Sequence, residues 1–457
     1  MLLISFFYTY KNLLLHAVLT FSIVFISTLL NLPIRFLQGL HTYILPENVG
    51  NDTSKSGVRA AIRRPGSIES EDLKKKNRSK DKFEFDENNA QIFRLQLVDD
   101  HLRSRMYFTD YRDVFNYSLI SISNLIIHNY YLNVIESSGI WVNGSVIPIV
   151  FGFIAIFRAG FSIAKVSFER SASKRSEKQL SIILGFLGFT LVFLIGFVIS
   201  PSVFDFELDS FDGVGKISVA IFAGLLAGFL FMPAVKSARS FWLGTDQLRW
   251  NLSIIPCGGF GRVLLHANLL LAVFSSLLWV NPLVEIFINN RNVGSSGAIG
   301  RIRVNENLIG NAGMDKVSFL KFRVWCLMGS GVLQIITLRP NLQMFLNEAV
   351  LSWYQRLHSS KVPDLDFSRA KIFLHNYYLS LAVLQFLVPP ALVLLFLGLS
   401  QVEGNLLETF SFVYNFMSCS ACFKEVALLM SWWVTFVWSI FTFSTLAVYR
   451  SGILYVS

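Results

Sequence analysis

Residues Arg262 to Val284 read RVLLHANLLLAVFSSLLWVNPLV, and no full charge follows Arg262 in this stretch. A run of this length is enough to cross the hydrocarbon core of a bilayer as one helix, which takes about 20 apolar residues. Two polar side chains, His266 and Asn268, lie near its start. Because hydrocarbon satisfies neither an imidazole nor an amide, we expect both side chains to face protein or water. The stretch is therefore predicted to be the central helix of a bundle.

Composition extends this prediction to the whole chain. Of its 457 residues, 53% are hydrophobic and only 15% are charged, and the mean hydropathy is +0.51, which is outside the range of soluble domains. Apolar runs recur at 12–32, 113–133, 140–163, 180–200, 216–235, 262–284, 318–338, 372–400 and 427–448. The fold class predicted is all-α, a polytopic helical membrane protein with about nine transmembrane helices. The number is eight if the first run is a cleaved signal, although we favour a retained signal anchor.

Three segments follow from this pattern. Residues 1–45 hold the N-terminal signal anchor and first span, and residues 107–457 form an eight-helix membrane domain. Between them, 46–106 is a mixed-charge linker, with ten Lys and Arg and eight Asp and Glu between Asn51 and Ala90. A segment this polar cannot bury enough apolar surface to fold alone. We therefore expect the linker to be disordered.

Charge predicts the orientation and the surroundings of the protein. The net charge is +10, and its Lys and Arg lie mostly in the linker and in alternate short loops, with 285–317 as the exception. By the positive-inside rule this places the linker and the C-terminus in the cytoplasm and the N-terminus in the lumen. The partner expected is the lipid bilayer of the plasma membrane or endomembrane system, and not nucleic acid. Asn143, in an Asn-Gly-Ser sequon on the outer side, is a candidate glycosylation site.

Residues that could carry chemistry are few. Asp113 and Glu425 lie at the edges of proposed spans, and no Asp or Glu lies inside one. No enzyme motif is present, and the four Cys form no recognisable disulfide or metal framework. We therefore expect no enzyme activity, no cofactor and no metal. Cys419 and Cys422 have redox spacing, but a simple disulfide or free thiols is favoured over a redox role.

Polar and small residues inside the spans are the remaining candidates. Arg158 and Arg323 lie about a turn or more inside their spans, so each either snorkels to the interface or belongs to a functional polar core. Snorkelling is favoured for both. Gly224 and Gly228 have the spacing that lets a neighbouring helix approach closely. Pro389-Pro390 is expected to kink its span.

The chain resembles a known family, transmembrane protein 161 (A and B forms), from about Tyr107 to Tyr449. The resemblance depends on the order and spacing of several short segments rather than on any single motif. These are Tyr107-Phe108 with Tyr111; Arg158; Phe231 with Pro233; Leu264-Leu265-His266 with Asn268; Leu277-Leu278-Trp279-Val280 with Pro282; Arg323-x-Trp325; Leu338-Arg339, Leu342-Gln343 and Leu346-Asn347; Tyr377-Tyr378-Leu379, Leu384-Gln385 and Pro389; and Trp432-Trp433. The linker does not match, the loop after span eight is short, and Gln334 stands where the family has a basic residue.

The resemblance implies a multi-pass membrane protein without enzymatic activity, from a family linked to regulation of ion currents. The function we expect is therefore that of a non-enzymatic protein that regulates or scaffolds other membrane proteins, such as ion channels. The alternative is a transporter or channel in its own right, with a polar centre around His266, Asn268 and Arg158, together with Gln385.

Overall fold

The computed structural model describes residues 2–45, 59–62, 92–135, 146–169, 175–199, 203–206, 213–245, 257–287, 314–359, 365–402 and 420–454. Its helices are α1 Leu2–Leu29, α2 Leu32–Leu37, α3 Asp99–Arg103, α4 Phe108–Ile135, α5 Val146–Phe168, α6 Arg175–Leu194, α7 Gly213–Thr245, α8 Gly259–Leu277, α9 Asn281–Phe287, α10 Lys316–Ile336, α11 Leu338–Ser359, α12 Asp366–Tyr377, α13 Leu379–Ser400 and α14 Ser420–Arg450. A π-helical segment, Ile195–Ile199, extends α6. Three short strands, β1 His41–Ile44, β2 Arg59–Ile62 and β3 Ile92–Gln96, form an antiparallel sheet in the order β1-β3-β2.

The all-α polytopic membrane fold is confirmed. Within the described residues, seven helices are long and apolar enough to cross a bilayer: α5, α6 with its π-helical extension, α7, α8, α10, α13 and α14. The apolar part of α1, Leu13–Leu29, is shorter, and α4 begins with the charged residues Asp110, Arg112 and Asp113. The count of nine spans therefore stays a prediction.

The centre of the bundle is α13 and not α8, so that prediction was wrong. In the apolar 18-residue stretch of α13, 94% is buried inside the protein, against 28% in the corresponding stretch of α8. The reason is that α13 is apolar all round, as a helix surrounded by other helices must be. It contacts α4, α5, α7, α10, α11 and α14. Pro389 and Pro390 lie inside α13, which extends from Leu379 to Ser400 although neither proline can donate a backbone hydrogen bond.

Glycines allow a close contact between α6 and α7. A Cβ at Gly224 would lie 2.7 Å from the Phe189 Cβ and 2.9 Å from the Gly185 carbonyl oxygen. One turn further on, a Cβ at Gly228 would lie 3.2 Å from the Ser181 carbonyl oxygen. The two backbones can approach this closely only because these positions lack side chains.

Tryptophans join the last helix to its neighbours. The indole nitrogen of Trp432 donates to the Ser276 carbonyl of α8 at 3.0 Å, and that of Trp433 donates to the Ala223 carbonyl of α7 at 2.9 Å. Both side chains are almost fully buried. A buried indole N–H requires such an acceptor, so these two residues fix α14 against α7 and α8.

The two ends of the bundle differ in construction. At the inner end, which the loop charges predict to be cytoplasmic, the three-stranded sheet packs with α11 and α12; we call these elements the inner platform. At the outer end, Phe204 pairs with Val280 in a single β-bridge. The Met314 amide donates there to the Phe287 carbonyl.

The linker differs in part from its predicted disorder, because β2, β3 and α3 lie within 46–106. β3 pairs with β1, which precedes the linker, and β2 pairs with β3, so the sheet that contains these two strands includes residues from outside the linker. The prediction of disorder for 46–58 and 63–91 falls outside the described residues. Asn143, Asn51, Asn77 and Cys419 also lie outside them, as does the side chain of Cys422.

Candidate functional site

A cluster of charged side chains surrounds Glu348 of α11 at the inner end. One of its carboxylate oxygens lies 2.7 Å from an Arg239 guanidinium nitrogen of α7 and 3.2 Å from the Lys371 ammonium nitrogen of α12. The Nε2 atom of His375, one turn beyond Lys371, is 3.8 Å away. The Glu348 carboxylate thus connects a membrane helix to both helices of the inner platform.

A second basic group of α7 borders this cluster. Lys236 lies one turn before Arg239, and its ammonium nitrogen is 5.3 Å from the centre of the Phe345 ring. Phe345 in turn stacks on the imidazole of His375, with 4.6 Å between ring centres. An aromatic face stabilises a nearby cation by its quadrupole. The ring therefore completes the surroundings of a basic side chain that the protein largely encloses.

Electrostatics keep Glu348 ionised. Burial alone would raise the pKa of the carboxyl, but Arg239, His375 and Lys371 together outweigh burial and hold that pKa well below its usual range. A carboxyl that stays ionised at neutral pH is a poor general acid, because it has no proton to give. The arrangement is suited to holding helices together rather than to proton transfer.

Helix α11 is buried although it is not apolar enough to be a span. It contacts α7 and α13 of the bundle and α12 and β1 of the inner platform. Ala349, Val350 and Trp353 of α11 pack there with Tyr43 of β1 and Ile372 of α12. Because these neighbours cover α11, its polar residues Asn341, Asn347, Glu348 and Ser352 are also buried and need partners.

Side-chain amides provide those partners toward the sheet. Gln343 of α11 accepts from the His41 amide at 2.9 Å and donates to the His41 carbonyl at 3.0 Å, as a neighbouring strand would. Tyr43 donates its hydroxyl to Asn347 at 2.9 Å, and Asn376 of α12 donates to the Tyr43 carbonyl at 2.7 Å. Gln343 and Asn347 are among the residues that carry the family resemblance, and here they attach β1 to α11.

Arg323 lies inside the outer end of the bundle, so the favoured snorkelling interpretation was wrong. Its side chain is 2% exposed and pairs with Asp205 at 2.8 Å. The guanidinium carbon lies 4.1 Å from the Trp279 ring centre and 5.2 Å from that of Phe319. Because the guanidinium is buried and paired with Asp205 of the 203–206 segment, it does not extend to the lipid headgroups.

His266 does not face the interior, contrary to expectation. Helix α8 buries Leu265, Asn268 and Ala272, and His266 points away from that face and is exposed. Its Nδ1 bonds to the Arg262 carbonyl at 2.8 Å, and its ring meets Phe241 edge-to-face at 5.0 Å. A local backbone partner near the helix end satisfies the imidazole without a neighbour in the core.

The other polar candidates occupy separate places. Asn268 and Gln385 are buried, and in the described part of the chain the Oδ1 atom of Asn268 and the Oε1 atom of Gln385 have no hydrogen-bond partner. Arg158 is exposed, with its guanidinium 5.7 Å from the Tyr117 ring centre, which fits the snorkelling interpretation. The structure therefore does not bring Arg158, His266, Asn268 and Gln385 together into one centre.

Sequence reasoning missed the Glu348 cluster because it treated 339–371 as a loop between spans. Two signals were available. Lys371 and His375 are four residues apart, on one face of a helix, and Glu348 is an acidic residue in the separate, weakly polar helix α11. The polar contact between α1 and α4 was missed as well. There His16 lies 3.2 Å from both Asn124 and His128.

Comparison with known proteins agrees with this architecture. No solved structure matches the chain. The sequence model of the family described as predicted transmembrane protein 161AB matches residues 212–413, which include α7, α8, α10, α11, α12 and α13. The Glu348 cluster lies within this range. The resemblance seen in the sequence is therefore confirmed: over residues 212–413 this chain is similar to predicted transmembrane protein 161AB, and its helices are those of a multi-pass membrane protein.

Proposed function

We propose that this multi-pass membrane protein is non-enzymatic and regulates or scaffolds other membrane proteins, such as ion channels. The observation that carries the proposal is the attachment of the inner platform to the membrane helices through Glu348. A scaffold needs a folded surface next to the membrane, held in a fixed position relative to its spans. The platform has these properties.

Helix α12 offers the surface for such a partner. Phe367, Phe373, Leu374 and Tyr377 are each more than a third exposed, on a helix that is not apolar enough to be a span. Phe373 and Tyr377 stack with 5.8 Å between ring centres. Exposed aromatic residues next to polar ones are typical of protein interfaces, and aromatic residues carry much of the binding energy there.

The test combines reconstitution with partner capture. Purified protein in liposomes should show no intrinsic conductance or flux, and a membrane protein should co-purify with the wild type from native membranes. Phe373→Ala should lose that partner while the protein stays folded and abundant. Phe157→Ala is the matched control, because Phe157 is 74% exposed on the apolar helix α5 and should face lipid. Equal capture by both variants would contradict the use of α12.

A transporter or channel is the second candidate. It is favoured by buried polar atoms on three different helices: Asn268 Oδ1 on α8, Gln334 Nε2 on α10 and Gln385 Oε1 on α13, which have no partner among the described residues. Buried polar groups are normally hydrogen-bonded, so such atoms could contact a polar substrate or water. Flux through liposomes that contain the pure protein would favour this candidate over the first.

A further inference from the structure

A groove opens on the outside of the bundle, between the inner ends of α7 and α8. Its α8 wall carries the basic residues Arg262 and His266 and the apolar residues Val263, Ala267 and Leu270, and Thr245 lines it from α7. The groove exists because α8 packs mainly on α10 and α14 and makes few contacts with α7. Val263 and Leu270 are 66% and 70% exposed, so the groove faces the surroundings of the protein.

The groove carries its two basic residues, Arg262 and His266, in its inner half and ends at the apolar residue Leu270. Its α8 residues recur at intervals of three and four, which places them on one helix face. Arg262 lies at the inner end, and Leu270 lies eight residues further, or about 12 Å deeper along the helix axis. This order matches the order of parts in a phospholipid, whose charged headgroup is at the interface and whose acyl chains run into the bilayer.

Local contacts leave Arg262 available to an anion. Its Nε atom donates to the Cys257 carbonyl at 3.2 Å, which fixes the base of the guanidinium. In the described part of the chain, no carboxylate forms an ion pair with it, and none of the residues that line the groove is acidic. The two terminal nitrogens can then bind a phosphate in a bidentate manner.

We propose that this groove binds one anionic phospholipid, with the phosphate at Arg262 and an acyl chain along Val263, Ala267 and Leu270. The groove lies at the end of the bundle that the loop charges predict to be cytoplasmic, where anionic lipids are enriched. A soluble phosphate would use only the basic end. A lipid also covers the apolar residues, which accounts for the whole length of the groove. This site is independent of the proposed scaffolding function.

Native mass spectrometry of the full-length protein in detergent tests the proposal, with phosphatidylserine as the probe and phosphatidylcholine as the comparison lipid. The wild type should retain one phosphatidylserine in preference to phosphatidylcholine. Arg262→Gln should weaken phosphatidylserine binding about fivefold, and Arg262→Lys should retain most of it. Arg158→Gln is the matched control, because Arg158 is an exposed basic residue of α5 and does not line this groove.

A second variant tests the apolar part and does not depend on Arg262. Ala267→Trp fills the middle of the groove and should reduce phosphatidylserine binding while leaving the arginine in place. The water-soluble headgroup glycerophosphoserine should not compete with the lipid. The proposal is overturned if Arg262→Gln and Arg158→Gln have equal effects, if Ala267→Trp has none, or if glycerophosphoserine displaces the lipid. The last result would indicate a simple anion site.

Discussion

Arg239 and Glu348 are 109 residues apart in the chain and meet with 2.7 Å between a guanidinium nitrogen and a carboxylate oxygen. Arg239 lies near the inner end of a membrane helix, whereas Glu348 lies on a helix that is not apolar enough to be one. Their contact therefore joins two structural layers, the membrane bundle and the inner platform. Lys371 extends the link to α12 by binding the same oxygen.

Replacing Glu348 by Gln should destabilise the protein strongly. The substitution keeps the shape of the side chain but leaves Arg239 and Lys371 without their carboxylate. Removing one partner of a buried ion pair costs about 3 kcal/mol or more. Thermal unfolding in detergent should show a clearly lower Tm, whereas Asp113→Asn, which removes an exposed partner of Arg112, should change it little. Equal Tm values for the two variants would contradict this structural role.

The same cluster predicts a pH dependence. The pKa of Glu348 is lower in the folded protein than its ordinary value. The carboxylate therefore contributes its full stability above the unfolded pKa of about 4.3, and this contribution is lost as the pH falls through the folded pKa. The difference in Tm between wild type and Glu348→Gln should accordingly be largest near neutral pH and shrink below about pH 4. A difference that grows on acidification would contradict the sign of the pKa shift.

Arg323 and Asp205 should be energetically coupled. Arg323→Gln removes both the ion pair and the stacking on Trp279, so its cost should be smaller when Asp205 is already Asn. A coupling of about 1–3 kcal/mol is expected from a double-mutant cycle measured by unfolding in detergent. Arg323→Lys should also destabilise, because an ammonium cannot stack on the indole as a guanidinium does. Strict additivity would show that the contact carries no stability.

Gly224→Ala should be more destabilising than Gly228→Ala. The added methyl at 224 would lie under 3.0 Å from Phe189 and the Gly185 carbonyl, whereas the nearest atom to a Cβ at 228 is 3.2 Å away. The first substitution must therefore push α6 and α7 apart, and Gly228→Leu should do the same because it is larger. Gly160→Ala is the control, since a Cβ there meets nothing within 4 Å and alanine favours the helix. The measurements are thermal stability and detergent-extracted yield, and equal values for Gly224→Ala and Gly160→Ala would contradict this prediction.

The fold class could be predicted from sequence because hydrophobic run length responds directly to bilayer thickness. The position of each helix in the bundle could not. The run at 262–284 contains polar residues and was therefore predicted to be central, but His266 finds a partner in its own backbone and faces outward. The central helix α13 is marked instead by apolar residues on every side, a signal that lipid-facing and buried helices share in membranes.

The candidate site could be predicted only in part, because the spacing of Lys371 and His375 indicates a shared helix face but the site itself depends on tertiary contacts between distant segments. Lys236, Arg239, Glu348, Lys371 and His375 are ordinary loop or helix-end charges in the sequence. Only the position of α11 between the bundle and the sheet makes Glu348 a buried group. Nothing in the sequence indicates that Asp205 pairs with Arg323.

Gln385 separates the two candidate functions. Its side chain is 1% exposed on α13, and its Oε1 atom has no hydrogen-bond partner among the described residues. Replacing a buried polar group that lacks a partner by an apolar one of similar size is nearly neutral or stabilising. Gln385→Met should therefore change the free energy of unfolding by less than about 1 kcal/mol. Leu384→Ala, at the neighbouring buried position, should cost about 2–5 kcal/mol and shows that the assay is sensitive.

If the protein is a scaffold, Gln385→Met should also keep its partner. If it is a transporter or channel with a polar centre, the same folded variant should lose flux in liposomes.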